Sequence, residues 1–114
     1  MHELSIAKNI VEIIKESVNE KELHEVDKVI LKVGELSGVV TDSLLFSLQA
    51  ITSETELQNA KFETENIPFA IKCNTCGKIS NTELGIVKCP LCGNKDTEVI
   101  SGNELLISEI ILKN

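Results

Sequence analysis

The chain's four cysteines, Cys73, Cys76, Cys89 and Cys92, form two Cys-x-x-Cys pairs separated by twelve residues. A thiolate pair two residues apart can fold back and present both sulfurs to one cation. Two such pairs complete a tetrahedron around Zn(II), with Zn–S distances of about 2.3 Å. Gly77 and Gly93 directly follow the second cysteine of each pair, where a knuckle needs a positive φ that glycine adopts at little cost. Four thiolates leave no open coordination position, so such a site is structural rather than catalytic. Disulfide pairing is the rival reading, but the spacing and the lack of a secretory signal do not favour it. A redox dithiol needs one Cys-x-x-Cys beside a βαβ pattern, not two facing pairs. Iron in place of zinc is left open by the spacing.

A second concentration of donor atoms lies at Met1-His2. A free amine, the His2 amide nitrogen and His2 Nδ1 would close fused five- and six-membered chelate rings on one metal. A planar, nitrogen-rich site suits Ni(II) or Cu(II). An initiator methionine before histidine is expected to be retained. The alternative reading of His2 is a solvated side chain. His24, the only other histidine, falls in a polar connection and reads as a surface residue.

Composition excludes several functions. The net charge is −7, and there is no tryptophan, tyrosine or arginine. Lys72, Lys78, Lys88 and Lys95 of the cysteine segment are largely offset by Glu83, Asp96 and Glu98. Bases would find neither a basic face nor stacking partners, so nucleic-acid binding is not expected. No apolar run is long enough for a bilayer, and no membrane role is expected. Cysteines kept reduced on a metal imply the cytoplasm. There is no phosphate loop, no supported nucleophile–base pattern and no spare cysteine, so no enzymatic activity is expected.

The elements that must position these groups follow from hydrophobic periodicity. Leu4, Ala7, Val11, Ile14 and Val18, widened by Ile10 and Ile13, form one stripe of a helix of about four turns. Val26 to Leu36 alternates, with Val29, Leu31 and Val33 on one face, and reads as a strand. Gly34 to Gly38 reads as a turn. Thr41 or Asp42 is placed to cap a second helix carrying Leu44, Leu45, Leu48 and Ile51, ending near Ser53. Lys61 to Ile67, closed by Pro68, is a further strand, and Glu104 to Leu112 the last. The expected fold is α+β: two helices packed on a small three-stranded mixed or antiparallel sheet, with an inserted four-cysteine zinc ribbon. Residues 1–68 with 101–114 would form the α+β domain and residues 69–100 the ribbon. The ribbon has few large apolar residues, so metal would supply folding energy on the order of 10 kcal/mol.

The chain resembles the HypA/HybF family of hydrogenase-maturation nickel metallochaperones. The resemblance rests on Met1-His2-Glu3, Val33-Gly34-Glu35-Leu36-Ser37, Val39 with Ser43-Leu44-Leu45-Phe46, and the two cysteine pairs with Cys89-Pro90-Leu91-Cys92. It runs the full length in order and spacing. It implies a non-enzymatic carrier. Ni(II) would be cargo held at Met1, His2 and Glu3 through the amine, the imidazole and backbone amides, while Zn(II) would sit in the ribbon. The implied partners are a nickel-binding hydrogenase-maturation GTPase and the large subunit of [NiFe]-hydrogenase, and some members also serve urease maturation proteins. One departure is Val40, which stands where many members have an acidic residue. Two other functions fit the ribbon alone: an interaction module of the transcription or translation kind, and a zinc-stabilised enzyme subunit. Nickel binding at the terminus separates both from the carrier.

Overall fold

A computed structural model describes residues 3–83 and 85–113. The elements run α1 (Glu3–Ser17), β1 (Val26–Gly34), α2 (Thr41–Thr52), β2 (Lys61–Ile67), β3 (Ala70–Cys73), β4 (Ile79–Ser80), β5 (Thr97–Ser101) and β6 (Leu105–Leu112). Short 3-10 turns occupy Glu20–Glu25 and Glu35–Ser37. The fold is α+β, and it contains two three-stranded sheets rather than one. The first has the order β2-β1-β6 and the second β4-β3-β5. The second sheet lies within the cysteine segment, whose strands are too short to show a period in the sequence.

The chain forms two compact units: residues 1–31, 39–65 and 106–114, and residues 32–38 and 66–105. In the first, α1 forms because residues 3–17 contain no glycine or proline and repeat apolar side chains at helical spacing. Its buried residues are Ile6, Ala7, Ile10 and Ile14. The buried stripe is therefore rotated from the expected one: Leu4 and Ile13 are nearly half exposed, and Ile6 takes the inner position. Glu3 in the first turn and Lys15 in the last match the helix dipole. Leu44 and Leu48 of α2, with Leu23, Val26, Val29, Leu31 and Leu57, complete this core. Each such side chain contributes about 1.5–3 kcal/mol by leaving water.

The start of α2 departs from expectation. Thr41 is already helical, the N-cap is Val40, and no side chain of the cap residue bonds the first turn. Leu44 N donates to Val40 O at 3.0 Å, which fixes the helix start one residue before the threonine. Neither Thr41 nor Asp42 is the cap, although Asp42 lies in the first turn, where negative charge is favourable.

Lys113 N donates to Glu25 O and Gly34 N to Glu104 O, each at 2.7 Å. One index falls as the other climbs, so β1 and β6 are antiparallel. The end of β1 belongs to the second unit and forms the base of the ribbon. A Cβ on Gly34 would lie 2.1 Å from Gly102 O and 2.7 Å from Glu104 N, so only glycine fits. Gly102 itself adopts φ 110° against Phe69. Leu36 N donates to Gly102 O at 2.6 Å, and Glu35 Oε1 accepts Phe69 N at 2.5 Å. The Gly34-Glu35-Leu36 stretch therefore clamps both entry and exit of the ribbon. Phe69, Ala70 and Ile71 are buried there, with Cys73 and Cys89 further along.

Candidate metal centre

Cys73 ends β3, which pairs antiparallel with β4 (Ile71↔Ser80, Lys72↔Ile79) and with β5 (Ile71↔Val99, Lys72↔Glu98, Cys73↔Thr97). Leaving the strand, the chain makes a tight loop. Gly77 N donates to Cys73 O and Cys73 N to Lys78 O, both at 2.9 Å. The second pair repeats the pattern: Gly93 N donates to Cys89 O and Cys89 N to Asn94 O, both at 2.9 Å. Gly77 and Gly93 have φ 74° and 76°, the left-handed conformation that the spacing predicts.

The two loops face each other. Sγ of Cys73 lies 3.5 Å from Sγ of Cys92, and Sγ of Cys76 lies 3.7 Å from Sγ of Cys89. All four sulfurs lie within 4.8 Å of one another. A tetrahedron with metal–sulfur bonds of about 2.3 Å has edges of about 3.8 Å, so the thiols are set at metal-binding separation. A disulfide would need about 2.05 Å, and all four cysteines are free. The four-cysteine group can hold a metal ion, with Cys73 and Cys89 buried and Cys76 and Cys92 exposed.

Backbone amides lower all four thiols, and the neighbouring sulfurs and desolvation divide them into two kinds. The Cys76 amide donates to Cys73 Sγ at 3.5 Å and, against burial, holds that thiol down at about 6. The amides of Cys92 and Leu91 likewise lower Cys89. The Asn94 amide acts downward on Cys92, yet the Cys73 sulfur, burial and the remaining sulfurs push it up to about 11. The Lys78 amide pulls Cys76 down, but burial and the Cys73 and Cys89 sulfurs raise it overall. The first cysteine of each loop is thus the more acidic of its pair, and a cation entering between the loops displaces the protons still held by the sulfurs.

Polar side chains outside the cysteine pattern hold the loops in place, and periodicity gives no sign of them. Asn94 Nδ2 donates to Thr75 Oγ1 at 2.9 Å, joining one loop to the other. Asn94 Oδ1 accepts Asp96 N at 2.9 Å, and Asn74 Nδ2 donates to Asp96 Oδ1 at 3.2 Å. Thr97 Oγ1 donates to Val87 O at 2.5 Å, securing the long connection between the pairs. An Asn or Thr beside a metal-binding cysteine is the only sequence signal for these roles.

Of the terminal trio, Met1 and His2 lie outside the described residues. Glu3 opens α1 half-buried, and its Oε2 accepts Val40 N at 3.5 Å. His24 is exposed in the turn before β1. Among the described residues, the four cysteines are the only cluster of metal-ligating side chains. No described helix is long and apolar enough to cross a membrane.

Comparison with known proteins covers nearly the whole chain. The family model described as "Hydrogenase/urease nickel incorporation, metallochaperone, hypA" matches residues 1–112. The hydrogenase maturation factor HypA of Roseiflexus sp. (strain RS-1) is 35% identical over 111 residues, covering 96% of this chain and 90% of that protein. The factor of the same name from Chloroflexus aggregans is 40% identical over 110 residues, covering 92% and 93%. The solution structure of the Ni metallochaperone HypA from Helicobacter pylori aligns with a TM-score of 0.68 at 18% identity, over 98% of this chain and 97% of that one. A second HypA solution structure aligns with a TM-score of 0.72, also at 18% identity. At that identity the two structures establish the fold.

Proposed function

We propose a function from one premise: this chain belongs to the HypA family of hydrogenase/urease nickel-incorporation metallochaperones, which are maturation factors and not enzymes. The chain binds one Ni(II) at its N-terminus through Met1, His2 and Glu3. It delivers that ion to the large subunit of [NiFe]-hydrogenase together with a nickel-binding GTPase. Clients of the urease type fall within the family description.

One observation carries this assignment. All four cysteines converge on one centre, and no other ligand cluster occurs among the described residues. A tetrathiolate cage has no vacant position through which an ion could be passed on. It suits resident Zn(II), held by Cys73, Cys76, Cys89 and Cys92 with the ribbon folded around it. Transferable cargo needs other donors, and Met1-His2 supplies an amine, an amide and an imidazole in chelating sequence. Residues 1–68 with 101–114 then form the cargo-holding domain, and residues 69–100 the zinc-holding one.

Charge supports the division. Residues 69–100 carry Lys72, Lys78, Lys88 and Lys95 against Glu83, Asp96 and Glu98. The negative excess of the chain therefore resides in the remaining residues, which include the terminus. A negative surface raises the local concentration of divalent cations. At a chain end, a partner's ligands can replace the carrier's one at a time. Thiols that must stay reduced to hold a metal favour a cytoplasmic setting. Nickel titration of untagged protein against a form extended by a few residues before Met1 tests the assignment. Loss of uptake on extension supports it, and equal uptake by both forms rejects it.

A further inference from the structure

We infer that the Glu3 side chain is a positioning residue for the terminal nickel site: its carboxylate ties the start of α1 to the start of α2 and is not itself a nickel ligand. This rests on the proposed terminal site. It concerns two residues of the first unit.

The argument begins at the exposed groups of a helix start. A helix leaves its first amides without intrahelical partners, and the amide of the N-cap residue itself is often taken by a carboxylate at the third helical position. In α2 the N-cap is Val40, which offers no side-chain oxygen. The third helical residue is Ser43, too short to reach back. The carboxylate comes instead from the other helix, where Glu3 Oε2 accepts Val40 N at 3.5 Å. The negative group also sits at the positive end of the α2 dipole, where it is favoured.

The consequence for chemistry follows from connectivity. Glu3 is one peptide bond from His2, so a tether on Glu3 fixes the point from which the chelating residues extend. A preorganised chelate loses less entropy on closing its rings. A carboxylate engaged with an amide also leaves nitrogen as the donor type at the metal, which suits a square-planar ion.

The experiment compares wild-type, Glu3→Gln, Glu3→Ala and Val40→Pro proteins, alone and in combination. Readouts are nickel affinity by calorimetry, the absorption spectrum of the nickel-loaded protein, and the Val40 amide shift in metal-free protein. Proline at position 40 removes the donor, and the observed φ of −83° lies near its range; Val40→Ala, which keeps the amide, controls for the lost side chain. Glu3→Gln keeps an acceptor oxygen, so it retains affinity within about twofold and leaves the Val40 shift near wild type. Glu3→Ala moves that shift and weakens nickel about tenfold, the size of a lost outer-shell contact, with the spectrum unchanged. In the Val40→Pro background, Glu3→Ala has no further effect. Equal loss in Gln and Ala variants, a changed nickel spectrum, or a full alanine effect on top of proline overturns the tether. The two proposals fail separately: wild-type protein that takes up no nickel rejects the terminal site, whereas normal uptake with an unresponsive Val40 amide rejects the tether.

Discussion

Asn94 Nδ2 donates to Thr75 Oγ1 at 2.9 Å, so one cysteine loop holds the other from outside the sulfur cluster. The bond is neutral and exposed, and its contribution to folding is modest. It links the two loops that carry the sulfurs, and the same side chain accepts Asp96 N, so its loss is expected to act on the geometry of the site. Asn94→Ala should lower stability by about 1 kcal/mol while weakening metal binding at the cysteines about tenfold. Competition against a chromophoric chelator measures the second quantity. Unchanged competition would show that the sulfurs alone set the site.

Gly34 is a packing prediction. Any side chain there meets Gly102 O at 2.1 Å and Glu104 N at 2.7 Å, both backbone atoms that cannot step aside. Gly34→Ala should cost about 3 kcal/mol or more, at the upper end for overpacked sites. The midpoint of urea unfolding reads this directly. Gly38→Ala makes a useful contrast: its added Cβ meets nothing within 4 Å, so only the strain of φ 75° remains.

Acid should act on the ribbon in a defined direction. Cys73 falls from 9.0 to about 6 because amides favour its thiolate. In metal-free protein it therefore contributes stability present above 9.0 and lost progressively as pH falls to about 6. Cys92 is raised from 9.0 to about 11, so its contribution is present below 9.0 and is lost as pH rises through about 11. Thiolate absorbance of metal-free protein should rise in two stages, one on each side of the ordinary thiol range. Metal bound at the cysteines should leave on acidification, because protons compete for each sulfur. A single thiolate transition near 9.0 would contradict the division.

How far the chain could be read in advance depends on the interaction concerned. β1 is legible because its alternation of apolar and polar side chains reports a strand directly, and the left-handed glycines because each follows a Cys-x-x-Cys. The rotation of the α1 stripe was hidden. Leu4, Ile6, Ile10 and Ile13 are equally apolar, and only packing decides which face inward. The second sheet was hidden for another reason. β3 and β4 have four and two residues, shorter than a period can be recognised in. Clamps such as Glu35 to Phe69, thirty-four residues apart, leave no local trace. The cap of α2 was misplaced because Thr41 has the preferred chemistry, while Val40 borrows its carboxylate from Glu3.

Removal of metal separates the two proposed ions. Strong chelation under reducing conditions should loosen residues 69–100, seen as faster amide exchange at Ile71, Cys73 and Thr97. The buried apolar residues of the first unit, Ile10, Ile14, Leu44 and Leu48, need no metal to pack, so α1 and α2 should keep their protection. Loss of protection throughout the chain would place the metal in the folding of both units.

Nickel titration by calorimetry, with zinc already at the cysteines, tests the central assignment most directly. Wild-type protein should bind one Ni(II) per chain and show the absorption of a planar, nitrogen-ligated ion. Affinity should fall as pH drops through the amine and imidazole range, about 8 to 6.5. His2→Ala and an N-terminally acetylated form should each abolish uptake. Nickel that still binds both altered proteins, or that displaces zinc from the four sulfurs, would contradict the account.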